Sequence, residues 1–482
     1  MSLSGALSNA MSGLVANARA TTVVSSNIAN ALNDHYGKRD VSLAANAIQT
    51  SGGVVVAQVT RHSDPILAFQ KRMAFADHSA NVAHAAFQSR FENLVGSIDT
   101  TGSIAERLTQ FETALVSAAS DPSSQTRLRH VSFTADAFAS TLRQASSGLD
   151  DLRSNADAKI AKAVSDINAG LLQVEELNAQ IMTAKYRGQD DHGLRDRRDA
   201  VLEAVSEHVP LHVIERDSGV VAVFTAQGRT LLDEKAVTFG FLATPVVAPH
   251  MRVTNGLLSQ LTIGGKAVDI PGPGMLGGGS LEAHFRIRDE FSVTAIDQLD
   301  AIARDVIERF AAGGPDMTLG AGDPGVFTDA GFAFDPIAEV GIAGRIRLNE
   351  TLSASGTETW RWRDGLNAVQ PADVGQSDLL GRLQAEVSAS RIPASPVLGN
   401  TQSSLVDHLH GLSNDVAADR LRWTDMEETS AAQLADLRRS AAEGGVNTDQ
   451  ELQKLIELEK SYAANARVVQ IVDDMLSELL RI

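Results

Sequence analysis

The chain has 482 residues, no cysteine, and 60 Asp and Glu against 42 Lys and Arg, for a formal charge of −18. The lack of cysteine excludes disulfides, thiolate metal ligands and a cysteine nucleophile. The acidic balance argues against nucleic acid as a partner, because phosphate binding relies on clustered Lys and Arg. A hydrophobic content of 43% predicts real cores, and the length suggests about three domains.

The first thirty residues predict a helix with a heptad seam, meaning one face on which the core positions alternate four and three residues apart. The seam positions are Leu3, Leu7, Ala10, Leu14, Asn17, Thr21, Val24, Ile28 and Ala31. Arg19 is the only charged residue among the first 33. Rich in Ser, Asn, Thr and Gly, this helix is weak alone, which suits a segment that orders on assembly.

The same N-terminal run does not have the features of a Sec-type signal peptide. It has no Lys or Arg before Arg19, and polar residues interrupt any apolar stretch. The sequence has no uninterrupted apolar run of about 18 residues, so membrane insertion is not expected.

The next part of the chain predicts long helices. Helical patterning begins after Asp64 and continues to about Arg187, with breaks near 99–103 and 120–125. A further helix is predicted over 193–209, where Pro210 stops it.

Strands are predicted next, and then helices again. Alternating apolar residues predict a hairpin over 211–232, and strand-like patterning continues to about 270. A helix is predicted over 280–310, and a segment rich in Gly, Pro and Asp, with short strands, over 313–375. A long helix over about 403–439 and a loop then lead to the last helix.

The last helix carries a second heptad seam. Its positions are Leu455, Leu458, Tyr462, Asn465, Val469, Val472, Leu476 and Leu479. Each seam contains one Asn, a choice that lowers stability but fixes register and partner. An ordinary amphipathic surface helix at each end is the alternative interpretation.

These patterns predict a mainly α fold with an inserted β-rich region. The chain ends, 1–40 and 441–482, would form a discontinuous terminal coiled-coil domain. An elongated helical rod domain would take residues 41–210, 281–312 and 376–440. A distal β domain would take residues 211–280 and 313–375.

Motifs that resemble catalytic or ligand sites have simpler interpretations. "GPGMLG" (272–277) fits G-x-G-x-x-G, but its prolines and the lack of a βαβ unit favour a turn. In "HVPLH" (208–212), Pro210 prevents one helical face from aiming both histidines at a metal. "WRWR" (360–363) predicts a strand with both tryptophans on one face, and "RDRRD" (195–199) predicts a solvated helix face. No catalytic, cofactor or metal site is predicted.

Both chain ends resemble the bacterial flagellar axial proteins. "ALSNAMSGLVANARATTVVSSNIANALNDHYGKRDV" (6–41) resembles their N-terminal motif, which contains S-x-N-I-A-N-A. Residues 443–482 resemble their C-terminal motif, with a Tyr-x-x-Asn-Ala pair and an aliphatic tail. In the middle of the chain, "LNAQI" (177–181), the helix at 193–209 and "VFTAQGRTLL" (223–232) are similar to the hook-associated members of this family.

One short segment departs from the family pattern. Where the family has Asn-Thr-x-Gly-Tyr, this chain has "LNDHY" (32–36), with Gly37 after the tyrosine. We expect the turn to be kept with its glycine displaced, since Asn, Asp and Gly tolerate left-handed conformations.

The resemblance implies a structural subunit of the flagellum at the junction between hook and filament, and not an enzyme. Another axial component, a hook or rod protein, is the alternative. An enzyme that uses the loop at 272–277 or the β region is an alternative of a different class. Export in the unfolded state by the flagellar type III pathway is implied, and with it an extracellular location.

The implied partners are other copies of the chain in a ring, the hook protein, and a second hook-associated protein or flagellin. The export apparatus and an export chaperone at the C-terminal helix are further implied partners.

The seam residues of both terminal helices form the predicted assembly interface. They are Leu3, Leu7, Leu14, Asn17, Val24, Ile28, Leu455, Leu458, Tyr462, Asn465, Val469, Val472, Leu476 and Leu479. Asn465 is predicted to fix the register of the pair, with Asn17 as its candidate partner. The alternative is that Asn465 faces a wet channel, where it needs no partner.

Overall fold

The computed structural model describes residues 3–45, 52–97, 100–268 and 276–481. The predicted turn at 272–277 therefore lies mostly outside the described residues. The helices are α1 Leu3–Ala29, α2 Pro65–Val95, α3 Ile104–Ser120, α4 Gln125–Tyr186, α5 His192–Ser206, α6 Gly279–Arg286, α7 Ser292–Arg309, α8 Ile342–Arg345, α9 Arg361–Asp364, α10 Asp378–Ser388, α11 Leu405–Glu443 and α12 Thr448–Arg481. The strands are β1 Arg39–Ala45, β2 Val54–Arg61, β3 Leu211–Glu215, β4 Val221–Thr225, β5 Thr230–Leu232, β6 Phe239–Gly240, β7 Leu261–Ile263, β8 Lys266–Val268, β9 Phe327–Asp329 and β10 Ile346–Leu348.

The prediction of a mainly helical chain with small sheets is confirmed. Helix boundaries follow local chemistry. The Asp64 carboxylate accepts hydrogen bonds from the N–H groups of Ile66 and Leu67 at the start of α2. Ser103 caps α3 by accepting from the Glu106 N–H at 3.1 Å. None of the helices in the described ranges is long and apolar enough to cross a membrane.

Contacts divide the chain into two units. The first comprises Met1–Ala76, Ile167–Val237 and Ser430–Ile482, and the second comprises Asp77–Asp166 and Thr238–Thr429. The predicted three-domain division groups the chain differently, because it assigns β3, β4 and β5 to a distal domain apart from both termini. That division stays a prediction.

The first unit contains two antiparallel strand groups. Strands β3, β4 and β5 form a sheet in that order, as the predicted hairpin requires. Asn178, in the "LNAQI" motif of α4, binds this sheet at the first residue of β4. Its side-chain amide exchanges hydrogen bonds with the backbone of Val221 at 2.9 and 3.1 Å. Strands β1 and β2 form a hairpin with a register shift between Ser42 and Leu43. This hairpin corrects the prediction that residues 41–63 belong to a helical segment: the β-branched run "VVVAQVT" (54–60) favours a strand.

The second unit contains a large apolar core. Its centre is a group of aromatic rings whose centroids lie 5.6 to 6.1 Å apart, from Phe111, Phe138, Phe310, Phe327 and Trp362. The helix predicted over 280–310 is present as α6 and α7, joined by a π-helical turn at Ile287–Phe291.

Two predictions for this unit are wrong. "WRWR" is not a strand: Arg361–Asp364 is a single helical turn, ended by Gly365 at a φ of 108°. Trp362 points into the core and donates its Nε1–H to Ser132 at 2.8 Å. Residues 313–375 are not β-rich, because frequent Gly, Pro and Asp limit both strands to three residues each, among several one-turn helices.

Candidate assembly interface

The helices nearest the two chain ends, α1 and α12, pack against each other in an antiparallel direction. Gly13 faces Asn465, Asn17 donates from Nδ2 to the Ser461 hydroxyl at 2.9 Å, and Asn27 reaches Glu451. As residue numbers rise along α1 they fall along α12, so these contacts define one continuous register.

Of the nine seam positions predicted for α1, three are buried: Ala10, Asn17 and Val24. Leu7, Leu14, Thr21 and Ile28 are only half-buried, together with Leu3 and Ala31. The other buried positions are Gly13, Ala16, Ala20, Val23 and Asn27. Among them, Gly13, Ala20 and Asn27 each come one residue before a predicted seam position.

Small residues explain this shift of one position. A Cβ at Gly13 would lie 2.7 Å from the Asn465 Nδ2, so the α12 side chain fits only because position 13 has none. Ala10, Ala16 and Ala20 continue the same small-residue face. The larger Leu side chains, which make the apparent seam, lie beside this face rather than on it.

The seam predicted for α12 matches its less exposed face over most of its length. Val472 is buried, and Leu455, Leu458, Asn465 and Val469 are half-buried. Tyr462, Leu476 and Leu479 are exposed at 48%, 39% and 59%. The role of these residues in assembly stays a prediction.

The predicted pairing of Asn17 with Asn465 does not form within the single chain, and a pairing between copies stays a prediction. In the antiparallel register Asn17 lies opposite Ser461, four residues away from Asn465, and the two form the hydrogen bond given above. Asn465 lies over Gly13 instead. The antiparallel direction of the two helices determines which residues face each other. Neither seam pattern indicates this direction.

A polar cluster around Asn27 joins the pair near the other end of its register. Asn27 is fully buried; its Nδ2 donates to the Glu451 carboxylate at 2.9 Å and to the Arg39 carbonyl at 2.8 Å. Its Oδ1 accepts from the Tyr36 hydroxyl at 2.9 Å and from the Arg39 N–H at 3.1 Å. The hydrogen bonds of the Asn27 amide therefore join α1 to the start of α12 and to the segment that follows α1.

Glu451 is also fully buried, and it is the charged partner in this cluster. Lys454 lies 3.4 Å and Lys38 lies 3.7 Å from its Oε1. Lys454 also binds Asp40 at 3.0 Å. Partial burial alone would raise the pKa of Asp40, but the hydrogen bond and charge of Lys454 lower it below its usual value. The sequence motifs of the two chain ends meet here, 424 residues apart.

The turn after α1 is present, but its glycine serves packing rather than backbone geometry. Asn33 accepts from the His35 N–H at 3.2 Å, and Gly37 does not take a positive φ. A Cβ at Gly37 would overlap the Arg61 side chain. The left-handed conformations that Asn33, Asp34 and Gly37 tolerate are not used in this turn, since none of the three has a positive φ.

Asp196 anchors this turn to α5. Its carboxylate accepts from the Gly37 N–H at 3.1 Å, from Arg39 at 3.0 Å and from Arg61 at 2.8 Å. In the same run, Arg198 is buried and donates to the Gly219 carbonyl at 2.7 Å. The prediction of a solvated face for "RDRRD" is therefore wrong for Asp196 and Arg198, which are buried and bind residues distant in sequence, whereas Arg197 is exposed.

The described residues contain one group with metal-ligand spacing, Asp190, Asp191 and His192, whose ligand atoms lie within 4.8 Å of one another. Arg195 already binds Asp191 at 2.9 and 3.0 Å, and the His192 Nε2 lies 3.1 Å from the Val59 carbonyl. These groups serve the fold, and they carry no indication of a bound ion.

Large apolar side chains remain exposed on both terminal helices. They are Met11 and Val15 on α1, and Leu452, Ile456, Tyr462, Val468, Ile471, Met475, Leu476, Leu479 and Leu480 on α12. Large exposed apolar patches of this kind commonly mark an interaction site.

Comparison with known proteins finds similarity in the helical middle of the chain and at its C-terminal end. Residues 88–317 match the flagellar hook-associated protein FlgK helical domain, and residues 443–482 match the flagellar basal body rod FlgEFG protein C-terminal family. Flagellar hook-associated protein 1 of Bacillus subtilis is 24% identical over 98% of this chain and 97% of its own length. The chain is therefore similar to the flagellar hook-associated proteins, both in this helical region and over its length as a whole.

Other relatives match a smaller part of the chain. Flagellar hook-associated protein 1 of Escherichia coli is 28% identical over 52% of this chain and 47% of its own. The Salmonella typhimurium protein is 29% identical over 52% and 46%. The solved structure of the flagellar hook junction protein FlgK from Burkholderia pseudomallei has a TM-score of 0.43 at 22% identity, covering 54% of this chain and 46% of that one. These similarities support a structural component of the flagellar axis, with a part in flagellum assembly and motility.

Proposed function

We propose that the chain forms the junction between hook and filament and assembles through its two terminal helices. The observation that carries this proposal is the exposed apolar surface on α1 and α12. The two helices already form an antiparallel pair, yet most of the large apolar side chains of α12 are exposed. Covering one such side chain contributes about 1.5–3 kcal/mol, so association of copies through this surface is strongly favoured.

The charge distribution on α1 supports packing of many copies. Arg19 is its one charged residue, so neighbouring copies of the helix would bring few like charges together. We infer that the terminal pair acts as a discontinuous coiled-coil domain in the assembly. Its seam residues, such as Leu458 and Val469, lie between the pair and the neighbouring copies.

The partners proposed for the two sides of the ring are the hook protein and a second hook-associated protein or flagellin. Export unfolded through the type III pathway, with a chaperone on the C-terminal helix, belongs to the same proposal, and it places the chain outside the cell in the flagellum. Similarity to the flagellar hook-associated proteins supports association with hook and filament components.

Another axial component, a hook or rod protein, is the second candidate. The match of residues 443–482 to a rod-protein family favours it, because the same C-terminal pattern occurs in rod proteins. The match of residues 88–317 to the hook-associated helical domain weighs against it.

Electron microscopy of a strain that lacks this gene separates the two candidates. A junction protein predicts complete hooks without filaments, with flagellin released into the medium. Loss of the hooks themselves would indicate a rod or hook protein. Filaments that remain attached in the deletion strain would refute both roles, and a plasmid copy of the gene is the control.

A further inference from the structure

Arg72 is a buried cation in the first unit without a bound acid. It lies on α2 and is 8% exposed, and no acceptor in the described part of the chain takes a hydrogen bond from its Nε. Burial lowers the pKa of its guanidinium, but an arginine remains charged at physiological pH. A buried charge without a hydrogen-bonded counter-ion is unfavourable, so this side chain calls for a partner that the described residues do not supply.

The acids closest to Arg72 are already engaged by other cations. Asp199 accepts from Arg61 at 2.7 Å. Glu203 binds Lys71 at 2.7 Å and lies 3.5 Å from the His35 ring. Both carboxylates act on Arg72 only through their charge.

Arg72 lines an open cleft of about 420 Å³ that lies entirely within the first unit. The cleft is formed by the turn at 34–38, the segment from Arg61 into α2, the face of α5 at 199 and 203, and the connection between α11 and α12. Gly444 and Gly445 line the cleft at this connection. The space is sufficient for a side chain or a small anion.

We propose that this cleft binds a carboxylate with Arg72 as its anchor, and that the occupant in the flagellum is an acidic side chain of a second copy of the chain. The fork of a guanidinium matches a carboxylate in two parallel hydrogen bonds. Acidic side chains are abundant, at 60 against 42 basic ones, and α12 exposes several, such as Glu459 and Asp474. The identity of the occupant rests on the proposed function; the carboxylate site does not.

The first test is the thermal unfolding of the dilute, full-length protein. Arg72→Met keeps an unbranched side chain and removes the buried charge, so its melting temperature should equal or exceed that of the wild type. Lys71→Met is the matched control, because it breaks the ion pair with Glu203 and should lower the melting temperature. A loss in Arg72→Met as large as in the control would show that Arg72 stabilises the single chain, and would overturn the proposal.

The second test asks what fills the cleft. Glutarate should raise the melting temperature of the wild type above that in sodium chloride of equal ionic strength, and should have no such effect on Arg72→Met. In the deletion strain, Arg72→Met should reduce the number of attached filaments several-fold. A glutarate effect with normal filaments would assign the site to a free anion and refute the second copy as occupant.

Absence of both effects would overturn the carboxylate site itself. If the deletion strain keeps its attached filaments, the proposed function has failed, and the glutarate titration alone then decides on the site.

Discussion

The helix α12 and the helix α7 show two different uses of apolar residues in one chain. In α7, 12 of 18 residues are buried, within the core of the second unit. In α12, only Glu451 and Val472 of its 34 residues are buried, although the helix is rich in Leu, Ile and Val. The difference indicates that the stability of the single chain comes from the core of the second unit, whereas most of the apolar surface of the terminal helices is available for contact with neighbouring copies.

The core of the second unit should show the largest effect on the single chain. Phe111 is fully buried and meets the rings of Phe310, Phe327 and Trp362. Phe111→Ala should cost about 3–5 kcal/mol of unfolding free energy, because the side chain leaves a cavity that the core fills only in part. Chemical denaturation followed by circular dichroism measures this loss. The exposed Phe133, replaced by Ala, is the control and should change the free energy little. Equal effects of the two substitutions would contradict the position of the core.

The polar cluster that joins α1 and α12 should show a smaller and more local effect. Glu451→Gln keeps the shape of the side chain but replaces a carboxylate oxygen that two lysines face, so it should weaken the pair by about 1–3 kcal/mol. Hydrogen exchange should accelerate in residues 448–465 and remain unchanged in α7. Glu459→Gln, on the exposed side of the same helix, is the matched control. Uniform acceleration throughout the chain would show that the cluster supports the whole fold.

How far the sequence predicts these two regions depends on the range of the interactions. Breaks between helices follow local signals, such as Asp64 before Pro65 or Ser103 before α3, and the predicted breaks are correct. The predicted α1 seam is misplaced by one position because Gly13 and Ala20 are small and give only a weak hydrophobic signal in the sequence. The role of Gly13 becomes visible only when Asn465 of α12 lies opposite it. The charges of "RDRRD" balance locally, so nothing in the run itself indicates that Asp196 binds Arg39 and Arg61. The contact of Asn27 with Glu451 spans 424 residues and has no local signal other than the family motifs.

Asp150, in the second unit, should give a modest, pH-dependent effect. Burial raises the pKa of its carboxyl to about 6, opposed by the charge of Arg153, and its Oδ1 lacks a hydrogen-bond donor within the described chain. The folded state therefore holds this proton more tightly than the unfolded state, whose pKa is near 3.8. Stability from this group is complete below about pH 4 and decreases as the pH rises to about 6.

Asp150→Asn should remove that decrease. The variant should be more stable than the wild type at pH 8 and nearly equal to it at pH 4, as melting temperatures across this range would show. Asp151→Asn, at the exposed neighbouring position, is the control. A constant difference between variant and wild type at all pH values would show that ionisation of Asp150 is not the cause.

The smallest effect on the single chain should accompany the largest effect on assembly. Leu458 is half-buried on α12, on the side of the helix that faces α1. Leu458→Asp should leave the unfolding transition of the second unit unchanged, because the apolar core of that unit includes no residue of α12. In the assembled flagellum the same carboxylate would lie in a closely packed, water-poor interface without a counter-ion, which costs several kcal/mol per copy. Repetition of this cost around a ring should abolish filament attachment and swimming.

Lys460→Asp, on the exposed side of α12, is the matched control for an added acid, and Leu458→Met is the control for shape. If Leu458→Asp lowers the transition of the second unit as much as Phe111→Ala does, α12 belongs to the folded core, and the contrast between the two regions is wrong. If it swims normally, the seam does not take part in assembly.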